Sequence, residues 1–149
     1  MPLLLLASML PADASASLDG TRPQDAEVDD LTDFQGTWEM VVISKGGKDI
    51  TEKDDLVSLT CSGRDMTCLL KGETKPRRHG TILRLDRSGC PPAVDLLLHE
   101  PRGLEPGIYR RYGSLLIWAD EEYNRYRPTT FQSPKDTGEI VILFRRVMK

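Results

Sequence analysis

The chain has no CxxC pair, no HxxxH pair, no GxSxG elbow and no Gly-rich phosphate loop. Each absence removes the signature of one chemistry. Three cysteines and two histidines without ligand spacing do not form a metal motif. Without GxSxG there is no local mark of a hydrolase nucleophile, although a triad assembled from separate loops would leave none. Gly46-Gly47 lacks the strand–loop–helix setting in which backbone amides cradle phosphate. No apolar run approaches the ~20 residues a helix needs to cross a bilayer. No segment reads as a helix of three turns, and there is no internal repeat. A net charge of −3 is too small to imply a highly charged partner.

What charge there is lies unevenly. Residues 19–33 hold six acids against the single base Arg22, and Asp13 brings residues 1–33 to −6, which leaves the remainder at +3. The start, MPLLLLASMLPADASAS, combines a short apolar run with Ala14-Ser15-Ala16, as in an export signal cleaved after Ala16. It has no Lys or Arg before the apolar run, so the alternative is a disordered terminus with a leucine tract. The expected organisation is a signal peptide over 1–16, an acidic linker over 17–30 and one domain over 31–149. This predicts an exported protein, periplasmic, secreted or facing the cell envelope. Three cysteines in 149 residues are compatible with an oxidising compartment.

From Trp38 onward, short β-prone runs alternate with turn signals. The runs are 38–44, 56–61, 66–71, 81–86, 93–99, 107–112, 115–119 and 139–147, with a turn of helix over 31–35 and another over 50–55. The segment 72–79 reads as a basic loop. Eight strands in hairpin sequence predict an all-β fold, an eight-stranded antiparallel up-and-down barrel, with a two-sheet sandwich as the alternative. In a closed sheet the last strand meets the first. Gly36 and Trp38 would then face Arg145 or Arg146, one of which could lie across the indole or simply end the strand in solvent. A hairpin turn centred on Arg64-Asp65, between the runs 56–61 and 66–71, would place Cys61 opposite Cys68, close enough for a disulfide. Cys90 is left over, either a free thiol or an intermolecular partner.

Gly36-Thr37-Trp38 near the start, with a basic residue on the last strand, resembles the Gly-x-Trp signature of lipocalin and calycin barrels. Over residues 31–147 the chain is similar to a family of uncharacterised lipocalin-like domains found mainly in planctomycete bacteria. The pieces that carry the likeness are Phe34–Trp38, Gly80-Thr81 with Leu85-Asp86, Pro92–Leu96, Gly107–Tyr109, Leu115–Ile117, Arg127-Pro128 with Phe131, and Leu143–Arg146. The resemblance implies a lipocalin-like barrel in an exported protein. It implies no activity, because the family has no established site residues.

The residues themselves suggest a non-enzymatic domain without a cofactor. His79 and His99 stand beside no nucleophile motif, and Asp54-Asp55 and Glu121-Glu122 read as solvated acids. Lys71, Lys75, Arg77, Arg78, Arg84 and Arg87 read as solubilising surface and not as a nucleic-acid groove. The first expectation is a small apolar ligand inside the barrel. Trp38, Met40, Val42, Leu115, Ile117, Ile140, Ile142 and Phe144 are the candidates to line or fill it. The alternative is a structural or protein-interaction module of the cell envelope with a filled core. A cavity of ~300 Å3 or more separates the two. The long segment 120–138 is expected to fold over one barrel end, with Tyr126, Arg127 and Phe131 as plug or lid.

Overall fold

The computed structural model describes residues 31–148. The expected signal segment and acidic linker lie outside the described residues. Nine strands follow in order: β1 (Gly36–Lys45), β2 (Lys48–Asp49), β3 (Leu56–Ser62), β4 (Asp65–Leu70), β5 (Arg77–Asp86), β6 (Ala93–His99), β7 (Arg102–Tyr112), β8 (Leu115–Glu121) and β9 (Glu139–Arg146). Each pairs antiparallel with its sheet neighbour, and β1 pairs with β9 as well, closing β1 and β3–β9 into an eight-stranded up-and-down barrel. β2 is a two-residue return beside Ser44 and Lys45, further along β1 than the reach of β3. No helix among the described residues is long and apolar enough to cross a membrane.

Closure has a specific chemistry. Residues 31–35 form a turn in which Phe34 N–H donates to the Leu31 carbonyl, at 3.1 Å. That turn drops Phe34 into the barrel end, 1% exposed, edge-on to Tyr109 at 4.7 Å and to Trp118 at 6.1 Å. Trp38, also 1% exposed, donates its indole N–H back to the Phe34 carbonyl at 2.7 Å. Trp38 and Arg146 are register partners of β1 and β9. The Arg146 guanidinium lies 5.0 Å over the indole ring and donates to the Gln35 carbonyl at 2.5 Å. Arg111 approaches the same ring at 5.9 Å while bonded to Asp33 at 3.0 Å. Arg145 is not part of this plug. It points outward and pairs with Glu39 at 3.0 Å, as strand alternation requires of the neighbour of an inward residue.

Register departs from expectation in three places. The β3–β4 hairpin turns on Gly63-Arg64, with Gly63 at a left-handed φ of 59°, so Ser62 faces Asp65 and Cys61 faces Met66. Cys68 faces Leu59. The two cysteines are therefore diagonal neighbours, and both are free thiols. A diagonal pair lies ~7–8 Å apart, beyond easy disulfide reach. Secondly, β1 carries a bulge between Met40 and Val42. The extra residue reverses the alternation, so Ile43 is buried while Val41 and Val42 are each 36% exposed. Val42 is not an interior residue. Thirdly, β8 turns Leu116 and Trp118 inward, and Leu115 and Ile117 lie on the outer face. That run is apolar on both faces, so its sequence gives no parity.

β5 begins at Arg77, inside the expected loop, and β7 begins at Arg102, five residues before the expected start. Pro106 sits within β7 opposite Asp95.

Two outcomes are expected. Arg146→Met should lower unfolding free energy by about 2–3 kcal/mol, because a charge-assisted bond to a backbone carbonyl and a cation–π contact are lost together. Arg145→Met should lower it by less than about 1 kcal/mol, the value of an exposed ion pair. Urea denaturation of both variants checks the assignment, and the reverse order would refute it. In thiol labelling, Cys90 should react in the native protein. Cys61 and Cys68 are buried, and burial pushes the Cys61 thiol up to about 12, so both should react only after unfolding. A Cys61–Cys68 crosslink found by non-reducing peptide mapping would overturn the register given above.

Candidate functional site

Because the Trp38 plug seals one end, the barrel has a single mouth, formed by the ends of β4, β6 and β8 and the starts of β5, β7 and β9. A cavity of about 410 Å3 opens there. Its deep wall is apolar: Leu59, Met66, Leu96, Trp118, Ile142 and Phe144. Cys68, Leu56, Leu70 and Ile140 continue it upward. Of the residues expected to line the interior, Ile140, Ile142 and Phe144 do so. Trp38 belongs to the plug beneath. Met40 packs against the core without lining the cavity.

Polar groups collect near the mouth. Glu105 on β7 and Asp120 on β8 both line the cavity, and their carboxyls hydrogen-bond to each other. Asp120 is 7% exposed and also accepts the Trp118 indole N–H at 3.0 Å. Burial, then the Asp120 charge and the shared hydrogen bond, push the Glu105 carboxyl up to about 9. Burial likewise raises Asp120, against hydrogen bonds from Glu105 and Trp118 that favour its charged form. Glu105 is therefore protonated at neutral pH, and the two form a titrating pair and not two independent acids.

The neighbouring carboxylate behaves oppositely. Glu121 is fully buried, and burial alone would raise it, but Arg125 and Tyr123 hold it below the usual range. The Arg125 N–H donates at 2.9 Å, the Tyr123 N–H at 3.2 Å and the Arg125 guanidinium at 3.4 Å. Glu121 thus stays ionised and anchors the segment that leaves β8. Elsewhere on the mouth, Arg77, Arg78 and His79 contribute from the start of β5. Arg77 is ion-paired with Glu73, and Arg78 lies 3.7 Å from Asp65.

The long segment after β8 does not cap the mouth. It runs along the outside of the barrel, where Arg127 donates to the Val94 and Gly107 carbonyls at 2.9 and 2.7 Å and to Asp95 at 2.5 Å. Phe131 lies under Arg110 at 5.7 Å. Ile108 and Ala119, paired across β7 and β8 on the outer face, are buried where this strap crosses. Tyr126 remains 44% exposed. Arg127 and Phe131 are thus neither plug nor lid.

His79 and His99 come together on β5 and β6, with His99 Nε2 3.1 Å from the Thr81 hydroxyl. Burial, then the His99 charge, lowers His79. Among the described residues no group of three or more His, Cys, Asp or Glu is placed to hold a metal. Comparison with models of known protein families, with characterised proteins and with solved structures found no match.

Glu105 and Asp120 were not singled out from sequence. Asp120 follows Trp118 by two residues and so continues its face, but an acid after an apolar run reads as a loop. Glu105 was hidden by Pro106, which reads as a break before the strand.

The pair makes stability depend on pH. Its folded proton affinity exceeds that of the unfolded chain, so its stabilising share is complete below the unfolded carboxyl range and is lost as pH rises through about 9. His79 works the other way but is neutral in both states above about pH 7. Between about pH 7 and 8, unfolding free energy should therefore fall as pH rises, by no more than about 1.4 kcal/mol per unit for one proton. Glu105→Gln should flatten that slope. Chemical denaturation across the window measures it, and a rising slope would contradict a protonated Glu105.

Proposed function

We propose that this protein is an exported, non-enzymatic lipocalin-like domain that carries a small apolar molecule in its barrel, of the kind represented by the planctomycete lipocalin-like family it resembles. The observation that supports this reading is the cavity of about 410 Å3 with an apolar floor, closed below by the Trp38 plug and open at one mouth. That volume is in the range of small-molecule sites, and its composition, apolar with a few converging polar groups, is typical of them. A core filled by its own side chains would leave no such space.

The other reading, a protein-interaction module of the envelope, draws on the outer face of β1, where the bulge leaves Val41 and Val42 each 36% exposed. Two neighbouring valines are far from the several hundred Å2 of contiguous apolar surface that marks an interface. The ligand reading is therefore preferred.

Native mass spectrometry of protein purified from its own host should show a retained small molecule. Ile142→Trp, which places a large ring into the cavity, should remove that adduct and weaken binding of an apolar fluorescent probe by about tenfold or more, since the probe loses the apolar area it would have buried. Equal probe binding by the wild type and Ile142→Trp would sink the proposal.

A further inference from the structure

The cavity's polar groups limit what its occupant can be. Of the carboxyls that line it, Glu121 is neutralised by Arg125 and two backbone amides, Glu122 is ion-paired with Lys45, Asp54 accepts the Leu56 N–H at 2.8 Å, and Glu100 is exposed to solvent just past β6. Glu105 and Asp120 have no such partner. The groups that act on them are each other, the Trp118 N–H and the like charge of Glu121. Asp120 is 7% exposed and its Oδ2 is fixed by Trp118 at 3.0 Å, so the pair is held in place at the wall of the cavity. Buried charge without a counter-charge is costly, and a cation of suitable shape relieves that cost.

We propose that the barrel takes a small apolar amine, with its ammonium head against Glu105 and Asp120 and its hydrocarbon on the floor formed by Leu96, Trp118, Ile142 and Phe144. This rests on the cavity being a ligand site. An ammonium offers up to three N–H donors, enough to reach both carboxyls, and it supplies the positive charge the pair lacks. Trp118 borders both halves of the site, with its ring on the apolar side and its N–H holding the acid that receives the head. A bare divalent ion suits the place poorly. Such ions take six or more oxygen ligands, whereas no group of three or more acidic, imidazole or thiol donors converges among the described residues. The arginines at the start of β5 already face Glu73 and Asp65, which leaves Glu105 and Asp120 without a cationic partner.

The test keeps the hydrocarbon constant and changes the head. Octylammonium, octanol and octanoate are titrated separately into the full chain at neutral pH, below their micellar range, by isothermal calorimetry with Trp fluorescence as a second signal. Octylammonium should bind about tenfold or more tighter than octanol, and octanoate more weakly than either. The double variant E105Q/D120N should lose most of the preference for the amine over octanol, whereas Glu105→Gln alone, which keeps the Trp118–Asp120 bond and the Asp120 carboxyl, should lose less of it. Octanol or octanoate binding as tightly as the amine would overturn the amine and leave the carrier reading standing. Failure of all three to bind would overturn both. The comparison of heads on the wild-type protein decides the matter even if a variant does not fold.

Discussion

The contact between Trp38 and the end of β9 is the constraint on which the rest of the barrel depends. A sheet of eight strands has two edges until the first and last strands find each other, and unpaired edges expose a row of backbone donors and acceptors. Here the closing pair is fixed at one end by a single indole. Its ring lies under Arg146, its N–H is bound by the Phe34 carbonyl, and Arg146 returns to the Gln35 carbonyl. The same N-terminal turn secures the β3–β4 hairpin, because Gln35 donates to the Gly63 carbonyl at 2.9 Å and accepts the Gly63 N–H at 2.7 Å. Three separate parts of the chain thus lock at one end. The dense plug has a consequence at the other end: the barrel becomes a cup with one mouth.

Much of this fold was legible in the sequence. Gly36-Thr37-Trp38, the spacing of glycine turns and the eight β-prone runs are local signals, and local signals specify which residues form strands and in what order. They do not specify which way each strand faces. In β8, Leu115–Ala119 is apolar at every position, so alternation cannot choose between Leu115 and Leu116. In β1 the pattern is clear as far as Met40 and is then reversed by one inserted residue. A bulge of this kind is decided by the partner strand, since the extra residue of β1 is defined only against Phe144 and Leu143 of β9. The Cys61–Cys68 expectation failed for a related reason. Moving the turn centre by one residue, from Arg64-Asp65 to Gly63-Arg64, shifts every cross-strand pair of the hairpin by two.

The cavity was legible as an expectation about barrels of this size, but its chemistry was not. Glu105 and Asp120 lie at strand positions that composition reads as loop, and they meet only because β7 and β8 are neighbours in the ring. The long segment after β8 shows the complementary error. Its length and aromatics suggested a cover for the mouth, whereas the carbonyls of Val94 and Gly107 on the outer wall accept its arginine. Strapped there, it buries outer-face residues of β7 and β8 and leaves the mouth open.

The position of the carboxyl pair bears on what the cup is for. A hydrogen-bonded pair of acids inside a protein generally makes the fold less stable than apolar residues of the same size would. The plug shows that this chain satisfies buried polar groups where only stability is concerned: the indole N–H has the Phe34 carbonyl, and Arg146 has both a ring face and a carbonyl. Glu121, one residue beyond Asp120, is likewise provided with two backbone amides and a guanidinium. Glu105 and Asp120 receive only each other and one indole N–H, and they do so where the cavity wall is open to a guest. Two incompletely satisfied carboxyls on the lining of the barrel cavity are what a binding site requires, because a group already fully paired has nothing left to offer a ligand.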